Sequence, residues 1–141
     1  MALREFSSVT VGDQLPEKVI TLTRADLVNY AGVSGDPNPI HFSDHAARLA
    51  GLPMVVAHGM LTMGLAVGYL TSWLGDPTAL EKFSVRFSGF VPVEPLTPAD
   101  IEFNGHIKSL DDETHTAKIV LGGTSAGRKL FGRAIAEVRL C

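Results

Sequence analysis

The chain has 141 residues, of which 45% are hydrophobic and 19% charged, and a formal net charge of −3. This fits one folded domain with a sizeable core and excludes a disordered chain; the acidic balance speaks against a nucleic-acid binder that relies on overall positive charge. The single cysteine, Cys141, excludes an intrachain disulfide framework or thiolate metal cluster and suits a reducing compartment.

In chain order, "MALREFSSVTVGDQ" holds no apolar core of signal-peptide length, so a cytoplasmic protein is expected. "EKVITLT" (17–23) alternates and reads as a first strand. Thr23 and Asp26 make a capping-box pattern, and Leu27, Tyr30 and Ala31 then fall on one helical face. That helix should stop near "GVSGD". "SDHAARLAG" (43–51) reads as a short helix, with Ser43 as its N-cap and Gly51 past its end.

The window from Pro53 to Gly75 has no Asp, Glu, Lys or Arg. Its proline, histidine, four glycines and three hydroxyl residues suit a helix buried in a soluble core better than a membrane span. Residues 59–74, "GMLTMGLAVGYLTSWL", are apolar on nearly all sides, which predicts burial over most of the circumference; Gly64 and Gly68 would let a neighbour pack closely.

The period then drops from 3.6 to 2. "FSVRFS", "IEFNGHIKS", "TAKIVL" and "KLFGRAIAEVRL" read as strands, with turn signals at "LDDE" (110–113) and "GGTSAG" (122–127). The order predicts an α+β domain over residues 1–141, an antiparallel sheet curled around one long apolar helix.

The chemistry concentrates in "GDPNPIH" (35–41). Asp36 and Asn38 each precede a proline, which pushes both out of helical geometry, and each proline fixes its own φ. A carboxyl and an imidazole on so rigid a loop suit a proton-transfer pair, Asp36 with His41, sharing one small molecule such as a water. Asn38 would tie down the loop. Turn residues alone also explain such a segment, and taken by itself the pair fits an ordinary loop better than a site. Only these two metal ligands lie locally, so neither a metal nor another cofactor is expected. A serine triad lacks its "G-x-S-x-G" elbow. Further on, "AHGM" (57–60) sets His58 and Gly59 at the start of the apolar helix. Unpaired N–H groups there could polarise a carbonyl, and Gly59 would admit a substrate close to the backbone. Tight packing at Gly59, and a capping or core histidine at His58, are the alternatives.

"YAGVSGDPNPIH" (30–41) resembles the signature of the MaoC-like, (R)-specific enoyl-thioester hydratases and dehydratases, and "AHGMLTMG" and "VRFSGFVPV" resemble later segments of that family. More narrowly, "LVNYAGVSGD", "TSWLGDP" and "FGRAIA" are similar to the catalytic beta subunit of mycobacterial-type (3R)-hydroxyacyl-ACP dehydratases. The resemblance implies a hot dog fold and reversible dehydration of (3R)-hydroxyacyl thioesters to trans-2-enoyl thioesters, within type II fatty-acid elongation of the mycolic-acid kind. It implies Asp36 and His41 as the catalytic pair, Gly59 as the residue whose N–H meets the thioester oxygen, and Asn38 as loop support. It implies an acyl-ACP or acyl-CoA substrate, no cofactor, and a dimer, either a heterodimer with a related non-catalytic hot dog subunit or a homodimer. "VPVEPLTPAD" (91–100) departs from the family's usual "P-G-D" turn. A non-catalytic acyl-binding scaffold and an acyl thioesterase are the competing functions.

Overall fold

The computed structural model describes residues 2–141. Strand β1 (Gln14–Leu22) leads into helix α1 (Arg24–Ser34), a short helix α2 (Asp44–Leu49) and the long helix α3 (Gly59–Leu74). Strands β2 (Leu80–Phe87), β3 (Ala99–Asp111), β4 (Thr116–Ser125), β5 (Arg128–Lys129) and β6 (Phe131–Arg139) follow. They form one antiparallel sheet in the order β1-β3-β4-β6-β2, with the two-residue β5 on β4.

Local signals set the helix ends. Thr23 and Asp26 complete the capping box, and Gly35 closes α1 in the left-handed conformation at φ 72°. Ser43 accepts from the Ala46 N–H to start α2. Along β3, Ile101, Phe103 and Ile107 face inward and Glu102, Asn104 and Lys108 outward, as the alternation predicts. They meet Ile119 and Leu121 of β4, Ala134, Ala136 and Val138 of β6, and the stripe Ala66, Tyr69, Leu70 and Leu74 of α3. Tyr69 stacks on Phe103 and donates its hydroxyl to the Pro16 carbonyl at 2.9 Å. Burial pushes its phenol up to about 12, so it stays a neutral donor.

Two expectations need correcting. Helix α3 does sit under the sheet, but it is buried along one stripe rather than most of its circumference: Met60, Gly64, Gly68 and Ser72 are exposed along one flank. Beyond the helix's own backbone and the adjacent residues, no described atom lies within 4 Å of where a Cβ at Gly64 or Gly68 would stand, so neither glycine serves close packing against another element of the protomer. "GGTSAG" is not all turn. Gly122–Ser125 complete β4, and the reversal is confined to Ala126 and Gly127, both at positive φ. Gly122 and Gly123 are instead places of close approach. A Cβ at 122 would collide with the Asn104 amide, and one at 123 would lie 3.0 Å from the Phe131 ring.

No helix among the described residues is long and apolar enough to cross a membrane.

Candidate active site

The loop after α1 is a series of side-chain turns. The Asp36 N–H donates to Ser34 Oγ, the Asn38 N–H to Asp36 Oδ1 at 3.1 Å, and the Ile40 N–H to Asn38 Oδ1 at 3.2 Å. Asn38 thereby caps the 3-10 turn Pro39–His41. With Oδ1 of Asp36 committed to the loop, Oδ2 is free to face inward. It lies 4.0 Å from His41 Nε2.

His41 is buried, and its ring is pinned from the far side: Nδ1–H donates to the Val56 carbonyl at 2.7 Å. This bond fixes the ring orientation and turns Nε2 toward Asp36, where it can exchange a proton with a group held between them. The pinning segment is itself latched. Val56 N–H reaches the Ile40 carbonyl, Ala57 N–H the Val91 carbonyl, and Val93 N–H the Val55 carbonyl. Val55 N–H donates to Asp44, which Arg24 grips with two bonds of 2.8 and 3.1 Å. The Arg24 guanidinium, then the Val55 N–H, holds the Asp44 carboxyl below its ordinary value.

At 4.0 Å, Nε2 and Oδ2 are too far apart for a direct hydrogen bond but suitably spaced to share one oxygen atom between them. Asp36 is half exposed, so that oxygen can be reached from outside.

The chain arrangement adds a third group, His58, which the sequence left open between a functional role and a capping or core histidine. His58, 2% exposed, stacks on His41 with ring centroids 3.7 Å apart and meets the edge of Tyr30 at 4.7 Å. Neither of its ring nitrogens has a hydrogen-bond partner, and as N-cap of α3 it makes no side-chain cap. Burial, then the neighbouring His41, lowers its pKa; the Asp36 backbone carbonyl, near the ring but outside hydrogen-bond geometry, and the Asp36 carboxylate pull the other way more weakly. One atom each of Asp36, His41 and His58 lie within 4.8 Å of one another. Zinc ligands at about 2.0–2.2 Å from one ion sit roughly 3.5 Å apart in a tetrahedron, so this triangle is too wide for zinc without contraction.

Gly59, the first residue of α3, is exposed beside His58. The nearest atoms to a Cβ there would be those of the Phe87 ring, at an ordinary 3.4 Å, so tight packing does not account for the glycine. Phe42, Met60 and Phe87, large apolar side chains next to or against site residues, are all exposed. Beside Tyr30 lies an open, largely apolar groove of about 370 Å³, formed by Leu22, Tyr30, Val33, Leu61 and Leu65 with Thr21, Asp26 and Asn29 also in its lining.

The chain is 40% identical over 73 residues to 3-hydroxyacyl-thioester dehydratase X of Mycobacterium tuberculosis, a match covering 52% of this chain and 25% of the relative. It is 37% identical over 59 residues to 3-hydroxybutyryl-CoA dehydratase of Methylorubrum extorquens, covering 42% and 38%. A solved "MaoC-like dehydratase" superposes with a TM-score of 0.97 at 50% identity, over 99% of this chain and 43% of that one. The chain thus spans a quarter of the mycobacterial relative and under half of that structure. The R-hydratase PhaJ1 of Pseudomonas aeruginosa, at 21% identity and a TM-score of 0.83 over 98% and 86% of the chains, shares the hot dog fold. Residues 6–122 match the model of the MaoC like domain, and the chain belongs to that family.

Proposed function

We propose that this protein interconverts (3R)-hydroxyacyl and trans-2-enoyl thioesters by loss or addition of water. The observation that carries the proposal is His41, pinned at Nδ1 by Val56, with Nε2 facing the free oxygen of Asp36 across a gap suited to one shared oxygen. In the dehydration direction, Asp36 takes the Cα proton and His41 protonates the departing hydroxyl. The Gly59 N–H, at the positive end of α3, receives the charge that develops on the thioester oxygen. Asn38 keeps the loop in shape, and the groove beside Tyr30 supports an apolar acyl chain. No cofactor is needed for these steps.

The finer proposals follow the relatives. They favour the (R) stereochemistry and a setting in fatty-acid elongation of the mycolic-acid kind, with the acyl group on a carrier protein or CoA. Exposed Phe42, Met60 and Phe87 around the site support a partner hot dog subunit there, as does the likeness to two solved complexes from M. tuberculosis, HadBC and ChsH1-ChsH2.

The test is the loss of enoyl absorbance when trans-2-enoyl-CoA is hydrated, at several chain lengths, with and without a candidate partner subunit. Asp36→Asn and His41→Gln should each lower kcat by about 10²–10⁴-fold while circular dichroism stays native. Full activity in either variant sinks the dyad. A free acid as product points to a thioesterase, and an inert wild type under every condition points to a scaffold.

A further inference from the structure

We infer that His58 is a third catalytic residue, holding the reacting oxygen together with Asp36 and His41; this rests on the dehydratase function proposed above. A buried polar side chain without partners calls for an explanation, because burying an unbonded polar group costs stability. Among the described residues, the two ring nitrogens of His58 are the buried side-chain atoms in that condition. A cap or a satisfied core histidine would explain the residue, but neither is observed.

Geometry supplies the alternative. Three atoms no more than 4.8 Å apart always share a point within that distance divided by the square root of three, about 2.8 Å, of each atom. That upper limit is hydrogen-bond length to an oxygen. The ring is also held in place, stacked on His41 on one side and met by Tyr30 on another, so little entropy is lost when it engages a ligand. A neutral imidazole offers one N–H and one lone pair, which suits a hydroxyl or water. Burial and the adjacent His41 favour that neutral form.

In dehydration the Cα proton passes to one member of the dyad, the C–O bond breaks with its electrons on oxygen, and the other member supplies a proton to make water. His58 donates its N–H to that oxygen as the charge builds. It gives up no proton and is neutral before and after the step.

The test compares His58→Phe, which keeps a stacking ring without nitrogens, with His58→Gln, which keeps a hydrogen-bonding group. For His58→Phe we expect kcat to fall about 10²-fold with KM within about threefold, since the contact strengthens in the transition state. His58→Gln should recover at least about fivefold of that loss at an unchanged melting temperature. If His58→Phe keeps kcat within twofold, or if both variants lose kcat equally, the inference is overturned. A second measurement needs no variant. Ring-nitrogen resonances of His58 in the wild type should shift with a non-reactive 3-hydroxyacyl-CoA thioether and not with its 3-deoxy counterpart; identical responses overturn the inference. Loss of activity in Asp36→Asn and His41→Gln together with an unaffected His58→Phe removes only this residue. Full activity in the dyad variants removes the dehydratase itself.

Discussion

At position 59, neither backbone conformation nor packing within the protomer requires glycine. Its φ lies outside the left-handed region, and a Cβ would rest against the Phe87 ring at 3.4 Å. Alanine there should therefore fold well, and the reduced entropy of the unfolded chain should stabilise it by about 0.4–1 kcal/mol. If the Gly59 N–H meets a thioester oxygen, the same methyl stands where the substrate must approach, and displacements of about 1 Å at a reacting centre can cost on the order of 10²-fold. Gly59→Ala should thus raise the melting temperature slightly and lower kcat/KM at least about tenfold. Thermal denaturation and enoyl-CoA hydration on one preparation check it; a variant as active as wild type takes Gly59 out of the site. Asp36, Asn38 and His41 could be read from the sequence because seven consecutive residues, two of them prolines, place them together. His58 could not. It lies 17 residues beyond His41, and the bonds from Val56 to Ile40 and His41, with the latch of Val55–Ala57 onto Val91–Val93, bring its ring onto the imidazole of His41. In sequence, the one hint was a histidine directly before the glycine that opens an apolar helix.

Among the elements, the C-terminal end of α3 is the most tightly constrained. Gly75 closes the helix at φ 85°, and a Cβ there would collide with the Ala2 carbonyl oxygen. The N-terminal segment is bonded across this end. Arg4 N–H donates to the Leu74 carbonyl and Arg4 Nε to the Trp73 carbonyl, while its guanidinium covers the Trp73 ring at 4.2 Å. Gly75→Ala combines a strained backbone with a backbone clash, so it should destabilise by roughly 1–3 kcal/mol. For a chain of this size that is a drop of several degrees in melting temperature. Deleting residues 1–3 removes the clash and leaves the strain, so the substitution should cost less in the shortened chain; equal costs in both would show that the N-terminal segment does not press on this turn. Helix ends were legible at Thr23, Gly35 and Ser43 because caps act within four residues. The glycines of "GGTSAG" misled because a glycine signals either a turn or a crowded strand. Which one holds depends on Asn104, Phe103 and Phe131, neighbours on other strands.

For the whole molecule, the question is what covers the surfaces that one protomer leaves open. β1 and β2 are the two ends of the main sheet path, each bonded to one neighbour, and such edges invite further pairing. The exposed flank of α3 begins at Met60, beside Gly59, and Phe87 at the end of β2 leans on the same glycine. Phe42, adjacent to His41, adds a third exposed apolar side chain to this side. The molecule thus has an open strand edge and a group of exposed apolar residues close to its half-exposed Asp36. A water-excluding site needs both covered, because the charge stabilisation proposed for the Gly59 N–H would weaken as the local dielectric rises. The period-2 and period-3.6 patterns gave the layers of the sheet and helix, but they could not reveal this face, since apolar residues destined for a partner look like core residues in sequence. Light scattering should give twice the 15.0 kDa chain mass, or the mass of a complex once the related subunit is added. Phe87→Glu would place a charge in the covered face and should return the chain to monomer, with hydration activity falling in step. A monomeric wild type that hydrates enoyl-CoA at full rate would mean that the protomer closes its own site, with Phe42, Met60 and Phe87 against the acyl chain instead of against a partner.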